Sequence, residues 1–73
     1  MSLPSVSVII PVRDEANNVG PLAEQLKKTM TQCLDRTLRS YEVIFVDDGS
    51  RDLTRSNLAS IVHKYEHFMA VLF

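Results

Sequence analysis

The chain has 73 residues, a net charge of −1 and a single cysteine. A chain of this length forms at most one small domain, and its charge gives no electrostatic footprint for nucleic acid or an anionic membrane. One cysteine, Cys33, excludes an intramolecular disulfide and a cysteine cluster for zinc. There is no apolar run of the roughly 20 residues that span a bilayer and no signal peptide, so we expect a cytoplasmic location. Residues 1–3 are given no structural weight and are treated as a candidate cloning remnant.

The first half of the chain predicts a strand and then a helix. Residues 5–12, SVSVIIPV, alternate in a way that predicts the first strand. Residues 18–34 predict a helix, because apolar side chains recur there at helical spacing. Asn17 or Asn18 is the expected N-cap, and Pro21 is tolerated in the first turn.

The second half predicts two further strands with a helix between them. The strands are predicted over residues 42–46 and 68–73. The runs 43–46, VIFV, and 68–73, FMAVLF, are apolar without polar alternation, which is typical of strands buried on both faces. The helix is predicted from Asp52, a good N-cap, to about Tyr65. The order βαβαβ implies parallel strands in the spatial order 3-2-1, with both helices on one face. This α/β arrangement is half of a doubly wound sheet.

One face of the predicted sheet has no helix to cover it. Ile9, Ile44 and Val46, or their alternates, would face water, and the first strand would be a bare edge. Such a face marks an interaction surface or a missing piece. We therefore expect residues 1–73 to be the N-terminal part of a larger domain, and to form a homo-oligomer through that face or edge if they are stable alone.

The second predicted strand ends in two adjacent carboxylates, Asp47 and Asp48, followed by Gly49 and Ser50. Ligands bind at the carboxyl ends of the strands in open parallel sheets. A carboxylate there can accept a hydrogen bond from a ligand, and glycine allows a sharp turn or a close approach. The structural alternative is that Asp47, Ser50 and Asp52 merely build a turn and helix caps.

The loop over residues 11–15, PVRDE, follows the neighbouring strand, so we expect its polar groups at the same rim as Asp48. Arg13 could stack on a base or pair with a phosphate, and Glu15 could accept from a ribose or a base. The alternative is a solvated loop whose acids suit the adjacent helix N-terminus.

Residues 5–22, SVSVIIPVRDEANNVGPL, together with residues 41–54, YEVIFVDDGSRDLT, resemble the N-terminal part of family-2 glycosyltransferases with the GT-A fold. The polyprenyl-phosphate branch, similar to dolichol-phosphate mannosyltransferases, is the nearer resemblance. In that family a proline ends the first strand, usually followed by Tyr-Asn-Glu, and Val-Asp-Asp-Gly-Ser-x-Asp ends the second. The resemblance covers residues 6–73.

The resemblance implies a Rossmann-like site for a nucleotide-diphosphate sugar. Asp48 would accept from the ring N–H of the base, while Asp47 and Gly49 would shape the pocket. Arg13 stands where the family usually has tyrosine, and Asp14 where it has asparagine, so a guanidinium plane would replace the stacking ring. The implied site comprises Pro11, Val12, Arg13, Glu15, Asp47, Asp48 and Gly49.

The resemblance also implies which parts of the site lie outside these residues. The family's metal-binding Asp-x-Asp motif, its acceptor site and its catalytic base would follow residue 73. A divalent cation, Mg²⁺ or Mn²⁺, is therefore expected for the complete enzyme but not on these residues, and no catalytic residue is assigned here. The acceptor would be a polyprenyl phosphate or a saccharide, with the complete protein at the cytoplasmic face of a membrane.

Two non-enzymatic classes stay open on the sequence. A receiver-type regulatory module also has βαβ topology, but its acid pair is expected after the first strand and a lone aspartate after the third. A structural interaction domain that uses the uncovered sheet face is the other alternative. Titration with nucleotides separates both from the enzymatic hypothesis.

Overall fold

The computed structural model describes residues 2–34 and 36–73. The elements are β1 (Ser5–Val12), α1 (Ala16–Cys33), β2 (Ser40–Asp47), α2 (Thr54–Lys64) and β3 (Phe68–Leu72). β2 pairs in parallel with β1 on one side and with β3 on the other. The α/β class, the strand order 3-2-1 and the parallel pairing are therefore confirmed.

Both helices begin at other positions than the sequence predicts. α1 begins at Ala16, so Asn17 and Asn18 lie within its first turn and do not cap it, and Pro21 falls inside the helix. α2 begins at Thr54. Neither helix has a side-chain cap from its own N-cap residue. The predicted connection after α1 begins at residue 35, which lies outside the described residues.

The core lies between the sheet and the two helices. β2 has Tyr41, Val43, Phe45 and Asp47 buried on the helix side, with the intervening residues only half-buried. Burying a large apolar side chain contributes about 1.5–3 kcal/mol, so this single layer supplies most of the driving force for the fold. The buried apolar residues are Val12, Val19, Ala23, Tyr41, Val43, Phe45, Leu58, Ile61 and Phe68.

In the part of the chain that the structure describes, the opposite face of the sheet carries no helix, as predicted. Ile9 is 59% exposed, and the register places it beside Ile44 of β2, which in turn neighbours Met69, 41% exposed. Val46 is half-buried next to Val71, 42% exposed. The radius of gyration, 12.8 Å, exceeds the ~11 Å of a compact domain of this length. The described part of the chain is therefore a two-layer structure with one apolar face open to solvent.

We predict that a chain of these residues self-associates in solution through the open face, because apolar patches lose water when they meet. Ile9→Lys places a charge on that face and should shift the sedimentation profile toward the monomer. Leu53→Lys changes an equally apolar side chain, 70% exposed but outside the sheet, and should leave the profile unchanged. A monomeric wild-type chain, or equal shifts in both variants, would contradict the prediction.

Candidate functional site

The candidate site lies at the carboxyl end of the sheet, where β1 and β2 end side by side. The register pairs Val12 with Asp47, and the Asp48 amide donates to the Val12 carbonyl at 3.2 Å. The loop after β1 therefore starts next to the turn after β2. This confirms that residues 13–15 share a rim with Asp48.

The two adjacent aspartates lie on opposite faces of the sheet. Asp47 is completely buried on the helix side, whereas Asp48 is exposed. Successive residues of a strand point to opposite faces, which explains the separation. Because of it, the two carboxylates do not repel each other strongly and are not arranged to chelate one cation together.

The Asp47 carboxylate is fully occupied by protein groups. Its Oδ1 atom accepts hydrogen bonds from the Ser50 hydroxyl and from the Ser50 amide at 3.2 Å. Its Oδ2 atom forms an ion pair with Arg55 Nε at 2.8 Å. The Ser50 hydroxyl and the Arg55 guanidinium hold the pKa of Asp47 below its ordinary value, in spite of burial.

Two of the predicted site residues are buried and cannot contact a ligand at the rim. Asp47 has neither exposed surface nor a free oxygen for a ligand, so it shapes the turn instead of contacting what binds there. Val12 is 8% exposed and belongs to the core between sheet and helices. Asp47 and Val12 therefore hold the shape of the rim from the protein core.

Gly49 makes the sharp turn that follows the two aspartates. Its φ of +76° lies in the left-handed region, where glycine is favoured over residues that carry a Cβ. A Cβ built on Gly49 would meet no atom within 4 Å. The backbone conformation, and not crowding, therefore requires glycine here, and the space above it is open to a ligand.

The loop after β1 is held by side chains that follow β2. The successive backbone amides of residues 14–16 donate to Ser50 Oγ, Thr54 Oγ1 and Asp52 Oδ2, at 2.9, 2.8 and 3.3 Å respectively. Asn57 Nδ2 adds a hydrogen bond to the Ala16 carbonyl at 2.9 Å. Ser50 and Asp52, predicted as local caps, form local hydrogen bonds and also bind the loop across the rim.

Asp52 serves the first turns of both helices. Its Oδ1 atom accepts from the Thr54 amide at 2.9 Å and from the Thr54 hydroxyl, while Oδ2 accepts from the Ala16 amide. The Thr54 hydroxyl and amide are the main groups that lower the pKa of Asp52. One carboxylate therefore compensates the positive N-terminal ends of α1 and α2 together.

The Asp14 side chain accepts a hydrogen bond from the segment after β2. Its φ is +51°, a left-handed conformation that aspartate and asparagine adopt more readily than most residues. Its Oδ1 atom accepts from the Arg51 amide at 2.8 Å. Asp14 is not among the site residues predicted from the sequence. The signal that could have marked it is that an aspartate stands there in place of the family's usual asparagine.

The remaining predicted residues are exposed at the rim. Pro11, Arg13, Glu15, Asp48 and Gly49 all face solvent. Glu15 Oε2 accepts from the Asn18 amide group at 2.6 Å. Over residues 2–34 and 36–73, no hydrogen bond or ion pair involves the side chain of Arg13 or Asp48, and both are free to meet a ligand.

Two open grooves border the helices. One of about 250 Å³ runs along β1 and is lined in part by Pro11, Val12 and Glu15. A larger one of about 580 Å³ lies between α2 and β3, away from Asp48. The smaller groove lies at the end of β1 and has Glu15 of the rim in its lining.

The described residues do not form a metal centre. Among them there is no group of three or more His, Cys, Asp or Glu side chains that could hold an ion. Asp47 is engaged by Arg55, and Asp48 lies on the other face of the strand. Neither described helix combines the length and apolar character needed to cross a membrane.

An open parallel sheet with a polar rim at its carboxyl end defines an α/β protein with a Rossmann-like arrangement. The model of glycosyl transferase family 2 matches residues 7–71, and the chain belongs to that family. The receiver-type alternative is set aside on this match.

The chain is similar to several enzymes that act on polyprenyl phosphates. It is 47% identical over 47 residues to undecaprenyl-phosphate 4-deoxy-4-formamido-L-arabinose transferase of Edwardsiella ictaluri, covering 64% of this chain and 13% of that protein. It is 37% identical over 57 residues to dodecaprenyl-phosphate galacturonate synthase of Rhizobium johnstonii, covering 78% and 16%. It is 41% identical over 51 residues to dolichol-phosphate mannosyltransferase of Mycosarcoma maydis, covering 70% and 17%. The chain thus matches less than a fifth of the length of each of these three relatives.

We predict that the fold loses stability in acid. The pKa values of Asp47 and Asp52 lie below the ordinary value of 3.8 in the folded chain. Their contribution to the free energy of unfolding is therefore complete above pH 3.8, and it is lost as pH falls through the lowered folded pKa values. Thermal unfolding between pH 7 and 2.5 should show this fall.

The variant Asp47→Asn removes one of the two carboxylates and should flatten the acid limb of the stability profile. Glu24→Gln, an exposed acid on α1 without a hydrogen bond in the described part of the chain, is the matched control. An acid limb of unchanged slope in Asp47→Asn would disprove this origin of the pH dependence.

Proposed function

We propose that these residues form the nucleoside-binding part of a glycosyltransferase that moves a sugar from a nucleotide-diphosphate sugar to a polyprenyl phosphate. Family membership and the names of three relatives support the reaction class and the acceptor. The observation that carries the proposal is the exposed Asp48 carboxylate, which has no protein partner in the described part of the chain and lies beside the loop of Arg13 and Glu15.

Each exposed group at the rim suits one part of a nucleoside. A carboxylate acceptor at Asp48 matches the ring N–H of uracil or guanine. The Arg13 guanidinium can stack on the base because it is planar, or pair with a phosphate because it is always charged. Glu15 has one oxygen engaged by Asn18 and a second available to a ribose hydroxyl. Together these groups bind and orient the donor, which is how such a site contributes to rate.

The diphosphate and its divalent cation are not assigned to these residues. A Mg²⁺ or Mn²⁺ ion would stabilise the departing nucleoside diphosphate, but the described residues offer no set of ligands for it. In this proposal other segments of the domain hold the phosphates, activate the acceptor and approach the lipid at the cytoplasmic face of a membrane. We therefore expect the chain of these residues to bind nucleotide without turnover.

Titration with UDP and with GDP, followed by calorimetry or amide chemical shifts, tests the proposal. We expect one of the two to bind saturably and Asp48→Ala to weaken it roughly 10- to 100-fold, since a hydrogen bond to a charged group contributes about 1.5–3 kcal/mol.

Glu42→Ala is the matched control for Asp48→Ala. Glu42 has the same charge on the same strand, but its carboxylate accepts from Ser7 at the other end of the sheet. This variant should bind like the wild type. Failure of the wild-type chain to bind either nucleotide, or equal losses in both variants, would overturn the proposal and favour an interaction domain.

A further inference from the structure

Arg55 joins the ends of two strands to the first turn of α2. Its Nε atom lies 2.8 Å from Asp47 Oδ2, and its Nη2 atom donates to the Phe73 carbonyl. Its side chain is 40% exposed, so it stands between solvent and the buried carboxylate. Nothing in the sequence pattern marks Arg55 as a functional residue.

A continuous series of contacts leads from Arg55 to the loop after β1. Asp47 uses its other oxygen to accept from the Ser50 hydroxyl, and Ser50 Oγ accepts from the Asp14 amide at 2.9 Å. We call Arg55, Asp47, Ser50 and Asp14 the Arg55 relay. It links residues far apart in the sequence and ends next to Arg13.

The direction of every hydrogen bond in the Arg55 relay is determined by chemistry. The Asp14 backbone N–H only donates, so Ser50 Oγ must accept from it and send its single proton elsewhere. The Ser50 hydroxyl therefore donates a hydrogen bond to Asp47, which accepts it as an ionised carboxylate. The Ser50 hydroxyl and the Arg55 guanidinium together keep the Asp47 carboxylate ionised although it is buried.

We propose that Arg55 is a positioning residue for the nucleotide site, which sets the loop of Arg13 and Glu15 in place relative to Asp48 through the Arg55 relay. The inference rests on the proposed function above. Arg55 itself need not touch the nucleotide, because its effect passes through Asp47 and Ser50. In the alternative, Arg55 only connects the end of β3 to α2. Its substitution would then leave the position of the loop after β1 unchanged.

The first experiment needs no ligand. In ¹⁵N-labelled protein, the amide signal of Asp14 reports on its hydrogen bond to Ser50 Oγ. We expect Arg55→Ala to shift this signal in the same direction as Ser50→Ala and to speed its hydrogen exchange. Arg55→Lys keeps a cation beside Asp47 and should restore most of the wild-type signal. Lys28→Ala, which removes an exposed charge from α1, is the control and should leave it unchanged.

The second experiment measures nucleotide affinity against pH. Arg55→Ala should weaken binding of UDP or GDP roughly 10-fold at pH 7, because small misplacements of binding groups can cost up to about 100-fold. The loss should grow as pH falls, since Arg55→Ala takes away one of the groups that lower the pKa of Asp47 and the ion pair that holds its carboxylate. The wild type, Arg55→Lys and Lys28→Ala should show no such slope.

A double variant keeps the proposal falsifiable if Arg55→Ala does not fold. Arg55→Gln removes the charge but keeps a long polar side chain, and alone it should weaken binding and shift the Asp14 signal. Once Ser50→Ala has removed the hydroxyl, Arg55→Gln should cause no further change in affinity or in the Asp14 signal. Additive effects, or an Asp14 signal unmoved in folded Arg55→Ala, would overturn the proposal. If the wild-type chain binds neither nucleotide, the proposed function fails, while the Asp14 signal still decides whether Arg55 controls the loop.

Discussion

A buried carboxylate at the end of the central strand needs partners, and the rim of this protein is built from the groups that supply them. Asp47 lies under α2 with no exposed surface, where an unpaired charge would cost several kcal/mol. Ser50 donates hydrogen bonds to Asp47, and Arg55 forms an ion pair with it. These contacts require a sharp turn after β2 and place the first turn of α2 against the strand. The exposed position of Asp48, the residue after the end of β2, is a consequence, because successive residues of an extended chain point to opposite sides.

The two loops at the rim form one hydrogen-bonded unit. Three successive amides after β1 are satisfied by side chains after β2, so the N-terminus of α1 depends on residues far away in the sequence. Such bonds close only when the strands are already paired in the right register. The loops that carry Arg13 and Asp48 are thus positioned by the sheet and not by their local sequence, which suits groups that must meet one ligand together.

Family membership and geometry constrain different parts of the functional proposal. The match to glycosyl transferase family 2 and the similarity to polyprenyl-phosphate enzymes bear on the kind of reaction. The geometry bears on which groups are free to bind, and it divides the predicted residues into five exposed ones and two that support them from the core. The open sheet face adds a surface that the proposed nucleotide site does not use.

The sequence alone determined the element order, the parallel sheet and the shared rim, because apolar periodicity and the lengths of the connections reflect local chemistry and chain topology. It also marked Asp48 and Gly49, whose roles follow from their place at a strand end. Tertiary structure decided the different surroundings of Asp47 and Asp48, the start of α1 and the contacts of Arg55. These depend on which face each residue occupies and on hydrogen bonds between distant segments, and a linear pattern contains neither.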